Sequence, residues 1–306
     1  MTHRSPVVGR PQLAHHPGTQ TRQRKLTGLG LTVPAMALLL LVVALPLGLG
    51  VYQSMTNKAL TAPNSGQFIG LENYATKVIA PSFGSATWVT LLIMVLSLTL
   101  QLPIGYWLAL NLSVPLRASS VFRTIITLPM MLTPVAVGLM WRFLADPDTG
   151  LIRWVVSIFG DDSRPNLLNS QFGALALIVV VNSWINIPFV TILLLAGLMG
   201  VPQDLYEAAT IDGANRWQLR WHVTLPCLMP VLAVTCVLRL AGDYRMFDLV
   251  YTVTKGGPGS ATRNLSMLTY QEGLVNYNTG RATAMAITMA VMAIPAYFLY
   301  RKVSRT

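Results

Sequence analysis

The chain has 306 residues, 53% of them apolar and only 11% charged. A soluble domain carries about 25% charged residues to cover its surface, which excludes an ordinary soluble enzyme, a disordered chain and a polar-surfaced solenoid, and leaves lipid as the main solvent. The net charge of +11 reflects 22 bases against only 11 acids; the bases gather at the ends and between apolar blocks rather than along one stripe, which argues against a nucleic-acid partner.

In chain order, residues 1–25 hold Arg4, Arg10, Arg22, Arg24 and Lys25 with no acid, and without periodicity they are predicted to be a disordered, basic cytoplasmic tail. Leu26 to Val51 is an uncharged apolar run. At about 39 Å of helix it is long enough to span the hydrocarbon core. It is too long for a signal-peptide core and ends in no small-x-small cleavage site, so an uncleaved first span is expected. Further spans are centred on Thr87 to Leu112, Thr124 to Trp141, Gly173 to Gly200, the stretch entering at Pro226, and Ala282 to Tyr300. The expected fold is all-α: a polytopic membrane protein with six transmembrane helices over 26–306.

Lys and Arg near span ends orient such a protein. The basic tail and the closing Arg301, Lys302 and Arg305 place both termini in the cytoplasm. Arg117 and Arg123 mark an inner loop, and Asp146, Asp148, Asp161 and Asp162 mark an outer one. Within that outer loop, Leu151, Ile152, Trp154, Val155, Val156, Ile158 and Phe159 recur near helical spacing, which predicts a short helix lying on the membrane surface or packed on the bundle top. Cys227 and Cys236 fall nine residues apart on one helix, about 13 Å along its axis, and are expected to be unbridged, buried thiols.

The inner loop between spans four and five, 201–226, is the most informative. Pro202 and Asp204 suit the opening of a short helix. Ala208 and Ala209 offer a small, flat surface for another protein, and Gly213 permits a sharp turn. A second amphipathic helix follows, with Trp217, Leu219 and Trp221 among Arg216, Arg220 and His222. Pro226 then sits at the first turn of span five.

Within the spans, charge is costly, about 2.5–3.5 kcal/mol per group at mid-depth. Counted from Pro226, Arg239 lies about 20 Å and Asp243 about 26 Å up the helix. Arg239 and Asp243, and likewise Arg245 and Asp248, are spaced to meet on one helix face. This cluster is expected to face the bundle interior or an aqueous cavity, as solute contacts or as a structural ion-pair network. Span four adds Asn182, Ser183, Trp184 and Asn186 before Pro188. Amides and an aromatic face suit a sugar; interhelical hydrogen bonding and a proline kink are the competing explanations.

Glu207-Ala208-Ala209, three residues, Gly213, nine residues, then Val223, one residue and Leu225-Pro226 resembles the signature loop of binding-protein-dependent ABC transporter permeases, with Val223 where Ile is usual. Three further blocks resemble the carbohydrate-uptake (maltose-type) branch: Phe68 to Tyr74, Asp146 to Gly150, and Tyr244 to Tyr251 followed by Thr254 and Gly256-Gly257-Pro258. The resemblance covers nearly all of the chain except its tail. It implies that the loop helix docks on a cytoplasmic ATPase, with Glu207 pairing to a basic group, Gly213 setting the bend, and Ala208, Ala209, Asp212, Leu225 and Pro226 completing the coupling loop. Asn182, Trp184, Asn186, Arg239, Asp243 and Tyr244 become the substrate-pathway candidates.

The implied partners are a second permease subunit, two ATP-binding cassette subunits, an extracytoplasmic solute-binding protein and the lipid bilayer of a bacterial plasma membrane. No catalytic residue, metal site or cofactor is expected on this chain, which has no Gly-x4-Gly-Lys-Ser/Thr run to cradle ATP; ATP and Mg belong to the partner ATPase. The alternatives are the same importer class for glycerol phosphate or another small polar solute, or an ion-coupled secondary transporter. The latter would need protonatable groups at mid-span, where spans one to four and six carry no Asp or Glu. An intramembrane enzyme finds no support, since His3, His15 and His16 lie in the tail and His222 in the loop.

Overall fold

The computed structural model describes residues 32–114, 119–158 and 167–303. The basic tail 1–25, Arg117, Phe159, Asp161, Asp162 and Arg305 lie outside the described residues. The chain divides into two compact units, Met1–Tyr52 and Gln53–Thr306. The described part of the first belongs to one apolar helix, α1 (Thr32–Ser54), whose side chains are exposed almost throughout. Its turn Leu40–Ala44 is widened, and the N–H of Leu45 bonds the carbonyl of Leu40. Pro46 follows directly, and a proline ring disturbs the turn before it.

The second unit is built around two long apolar helices, α2 (Pro81–Leu112) and α6 (Gln171–Met199). They run parallel. Near their starts Val89 and Ile93 pack with Leu177, Ile178 and Val181, and near their ends Ala109 and Leu112 pack with Val190 and Leu194. Two parallel helices need a return pass between them. It is supplied by α3 (Ser119–Met131) and α4 (Pro134–Leu144); Ile126 joins the core at one end, Val137 the core at the other. The third span is therefore not the straight helix expected over 124–141. The chain bends by 93° between α3 and α4, because Thr133 is extended before Pro134 and a residue preceding proline avoids the helical region.

The short helix predicted from the Leu151–Phe159 pattern is present as α5 (Leu151–Ile158), and its Ile152 packs against the core. A short helix α7 (Gln203–Ile211) follows α6. The fifth span does not begin at Pro226 either. A single helix α8 (Arg216–Tyr244) runs unbroken from the loop into the apolar segment. Its turn Leu219–Thr224 is widened just before Pro226, with Leu225 N–H bonding the Arg220 carbonyl. Helix α8 runs antiparallel to α6, since Leu228 meets Leu194. It ends at Tyr244, so Arg245 and Asp248 do not share a helix face; Asp248 opens the short α9 (Asp248–Val253). After α10 (Leu265–Tyr270), the start of α11 (Thr279–Val303) meets the start of α2, with Met285 packed on Phe83 and Ala86.

Among the described residues, four helices, α1, α2, α6 and α8, are long and apolar enough to cross a membrane, and the bent α3–α4 pair makes a fifth candidate. The two cysteines are unbridged; Cys227 is exposed and Cys236 half-buried, so the expectation that both are buried fails at Cys227.

Candidate functional site: a buried polar network and an exposed loop

Polar side chains from three helices meet in the middle of the second unit. Arg239 and Asp243, on α8, are 8% and 2% exposed and form an ion pair. The Arg239 guanidinium also donates to Gln101 Oε1 at 2.8 Å and Asn186 Oδ1 at 2.7 Å. From α6, the Asn182 amide donates to Asp243 Oδ1 and to Ser97 Oγ, both at 3.0 Å. The Asn186 amide donates to the carbonyl and side-chain oxygens of Asn182 at 2.8 and 2.9 Å. A charge removed from water needs such a set of partners to offset its desolvation. Three polar atoms here still have none: Asp243 Oδ2, Gln101 Nε2 and Ser183 Oγ.

Asn182, Asn186, Arg239 and Asp243 line a cavity of about 330 Å³. Arg245 and Asp248 reach it too, without pairing, as do Pro134, Met246 and Phe247. Two of the six pathway candidates lie elsewhere. Trp184 packs edge-on against Trp141 at 6.0 Å between ring centres. The Tyr244 hydroxyl donates to the Met289 carbonyl at 2.8 Å. Sequence reasoning overlooked Gln101 and Ser97. Their signal is modest but real: two hydrogen-bonding side chains four apart in an otherwise apolar helix, hence on one face.

The second region is the loop that follows α6. Glu207 is exposed on α7 and lines a surface hollow of about 410 Å³ with Tyr206, Thr210 and Ile211; Ala208 is also exposed. Ala209, Asp212 and Gly213 line a second hollow, about 310 Å³, together with Gln218 and His222. The Asp212 N–H closes α7 onto the Ala208 carbonyl at 3.0 Å. Gly213 then takes φ +81° with no atom within 4 Å of where a side chain would start. The glycine is required by its left-handed backbone and not by crowding. Asn215 restarts the chain as helix: its Oδ1 accepts from Trp217 and Gln218 N–H at 3.0 Å, and Gln218 Oε1 accepts from Asn215 N–H at 2.8 Å. This reciprocal cap was missed from sequence, although Asn-x-x-Gln is a capping pattern. Hydroxyls of Tyr206 and Thr224, 3.1 Å apart, tie α7 to α8. Leu225 and Pro226 continue α8 as half-buried and exposed residues.

Between α4 and α5, Asp146 Oδ1 accepts from Thr149 N–H at 2.9 Å, Asp148 N–H at 2.9 Å and the Thr149 hydroxyl at 3.0 Å. These bonds, the Thr149 N–H first, hold its carboxyl below the usual range. No cluster of His, Cys, Asp or Glu able to hold a metal occurs among the described residues.

An all-helical subunit with several membrane-crossing helices, ionisable groups turned inward and a helix–turn–helix presented outward is the build of a transport permease. Residues 101–306 match the family of binding-protein-dependent transport system inner membrane components, and the chain belongs to that family. It is 35% identical over 283 residues to the probable ABC transporter permease protein y4oQ of Sinorhizobium fredii, covering 92% of this chain and 91% of the relative. It is 35% identical over 285 residues to the trehalose/maltose transport system permease protein MalF of Thermococcus litoralis, covering 93% and 95%. Among solved structures, a bacterial ABC transporter involved in import of the acidic polysaccharide alginate superposes with a TM-score of 0.79 at 26% identity, covering 94% of this chain and 98% of that one. That alginate transporter has also been solved in complex with its pentasaccharide-bound periplasmic protein.

Proposed function

We propose that this chain is one of two permease subunits of an ATP-driven importer that moves a carbohydrate (a mono- or oligosaccharide, or a polyol) into the cytoplasm by alternating access. Six transmembrane helices, with α3–α4 as one broken span and α11 as the last, put both termini inside a bacterial plasma membrane. A second permease, two ATP-binding cassette subunits holding ATP and Mg, and an extracytoplasmic binding protein complete the complex. The exposed loop around Glu207 and Gly213 receives the ATPase, whose closure rocks the helices. The parallel course of α2 and α6 and the opposite course of α8 support this topology.

The observation that carries the carbohydrate reading is the lining of the cavity. It combines two amides, Asn182 and Asn186, with two arginines and two aspartates, so its formal charge is balanced and its polar groups are donors and acceptors suited to hydroxyls. A neutral polyhydroxylated solute meets hydrogen-bond partners there without bringing an unmatched charge into low dielectric. Relatives named for trehalose/maltose and for sulfoquinovosyl glycerol support it. One observation favours a second reading: Arg245 at the cavity has no ion-pair partner among the described residues, and a 28% identical relative is named as an sn-glycerol-3-phosphate permease.

The test is uptake by the reconstituted complex, with its binding protein, of labelled trehalose, maltose, a polyol and sn-glycerol 3-phosphate. ATP-dependent accumulation of a neutral sugar or polyol is expected. Accumulation of the phosphate ester alone would replace the carbohydrate reading with the second one. Uptake that survives ATP depletion but collapses with an uncoupler would overturn the importer mechanism.

A further inference from the structure

Seven tryptophans occur in the chain, and they divide cleanly. Trp141 and Trp184 pair inside. The other five, Trp88, Trp107, Trp154, Trp217 and Trp221, are 58–65% exposed. Tryptophan on a membrane protein's exterior concentrates at the two membrane–water interfaces, where an apolar ring with one N–H fits best. Trp88 and Trp107 both lie on α2, 19 residues or about 28 Å apart along the helix, close to the roughly 30 Å thickness of a hydrocarbon core. They mark the two boundaries, with Trp107 at the end where α2 approaches the inner loops.

Trp217 and Trp221 belong to that same inner level. Leu228, seven residues after Trp221 on α8, packs in one cluster with Ala109 and Leu112 at the Trp107 end of α2, and the Arg220 guanidinium sits 6.0 Å from the Trp217 ring centre. Residues four apart on α8 share one helix face. Trp221 thus follows Trp217, and Arg220 follows Arg216, as two adjacent rows. Gln218 and His222 turn instead toward the hollow beside Gly213. Arg216 and Arg220 are exposed and meet no acid among the described residues.

We propose that Arg216, Trp217, Arg220 and Trp221 form a headgroup site for an anionic phospholipid of the cytoplasmic leaflet. The inference rests on the inward orientation proposed above. Guanidinium groups match phosphate oxygens in a two-pronged geometry, the indole rings seat the glycerol level, and the inner leaflet is where anionic lipid and juxtamembrane cations meet. A lipid held there fixes the depth at which α8 leaves the membrane, and with it the height of the docking loop joined to α8 through Tyr206 and Thr224.

The assembled complex, purified and examined by native mass spectrometry while titrated with phosphatidylglycerol or phosphatidylcholine, tests this. Retention of phosphatidylglycerol over phosphatidylcholine is expected. The apparent affinity should fall about fivefold for each arginine changed in R216Q and R220Q, the factor that roughly 1 kcal/mol per juxtamembrane cation represents. Inorganic phosphate in excess should not displace the lipid, and W217A/W221A should weaken retention with the arginines intact. Both arginines are exposed, so these variants keep the melting temperature in phosphatidylcholine. Equal retention by parent and variants, displacement by free phosphate, or cross-linking of W221C to an ATPase subunit in place of lipid would overturn the site. Charge-dependent lipid retention in a complex whose ATPase ignores solute would overturn the importer reading and leave the lipid site standing.

Discussion

The buried network on the C-terminal half of α8 and the exposed loop at its other end are both polar, yet they are held by opposite means. In the network, side chains make the contacts: Arg239, Asp243, Asn182, Asn186, Gln101 and Ser97 bond one another across helices, while Asp243 Oδ2 and Gln101 Nε2 are left without partners. In the loop, the backbone supplies the shape. Gly213 turns, Asn215 caps, and the side chains of Glu207, Ala208 and Asp212 remain exposed. Damage to the network should therefore register first as loss of the folded protein. Damage to the loop should register as loss of coupling in a protein that is otherwise intact.

Asp243→Ala is the harshest test of that contrast. It leaves the Arg239 guanidinium buried without its counter-charge, a change that costs roughly 3–5 kcal/mol. A large drop in thermal stability of the purified permease is expected, with Asp243→Asn milder because its amide oxygen can still accept from Arg239. Replacing the pair together, as R239M/D243L, should recover most of the stability while abolishing uptake. If D243A melts like the parent, the network is not structural. Next in size is Gly138→Ala, where α4 meets α9. A methyl there overlaps Thr252 Oγ1, and overpacking costs roughly 1–3 kcal/mol. Thr252→Ala in the same chain should return part of the loss, and absence of rescue would separate the strain from that contact.

The two regions also differed in how far the sequence revealed them. The loop was legible because its determinants are local: Gly213, the small residues before it and Pro226 lie within twenty positions of one another. The apolar spans were legible for the same reason, since length and hydropathy are properties of one segment. The bend at Thr133–Pro134 was hidden in plain view: the proline signals a break, but a 93° angle depends on what α3 and α4 pack against. The partners of Arg239 were out of reach, with Gln101 standing 138 positions away. Trp184 and Tyr244 show the remaining limit. Helix α6 is apolar around most of its circumference, so its pattern does not tell that Trp184, beside Asn182 and Asn186, turns to Trp141 and not to the cavity.

Gly213→Val inverts the expectations for the network. A β-branched residue resists φ +81°, and the left-handed conformation costs roughly 1–2 kcal/mol, but the strain falls on an exposed turn with open space around it. The melting temperature should move little while solute-stimulated ATPase and uptake are lost together. Gly213→Asn, which tolerates the same backbone, should retain both; if valine couples as well as asparagine, the turn is not what transmits closure.

The smallest effect is expected at Asn215. Alanine removes the oxygen that accepts from Trp217 and Gln218 N–H and leaves Gln218 without its reciprocal role, a loss of about 1 kcal/mol for an N-cap. Because α8 continues for 29 residues, its apolar part holds the helix regardless, and the loss should stay confined to the first turn. Hydrogen exchange is the fitting measurement: the amides of Trp217 and Gln218 should exchange several-fold faster in Asn215→Ala, with those beyond Leu228 unchanged. Faster exchange spreading into the membrane segment would mean that loop and span unfold as one unit, and the separation between the two regions would fail.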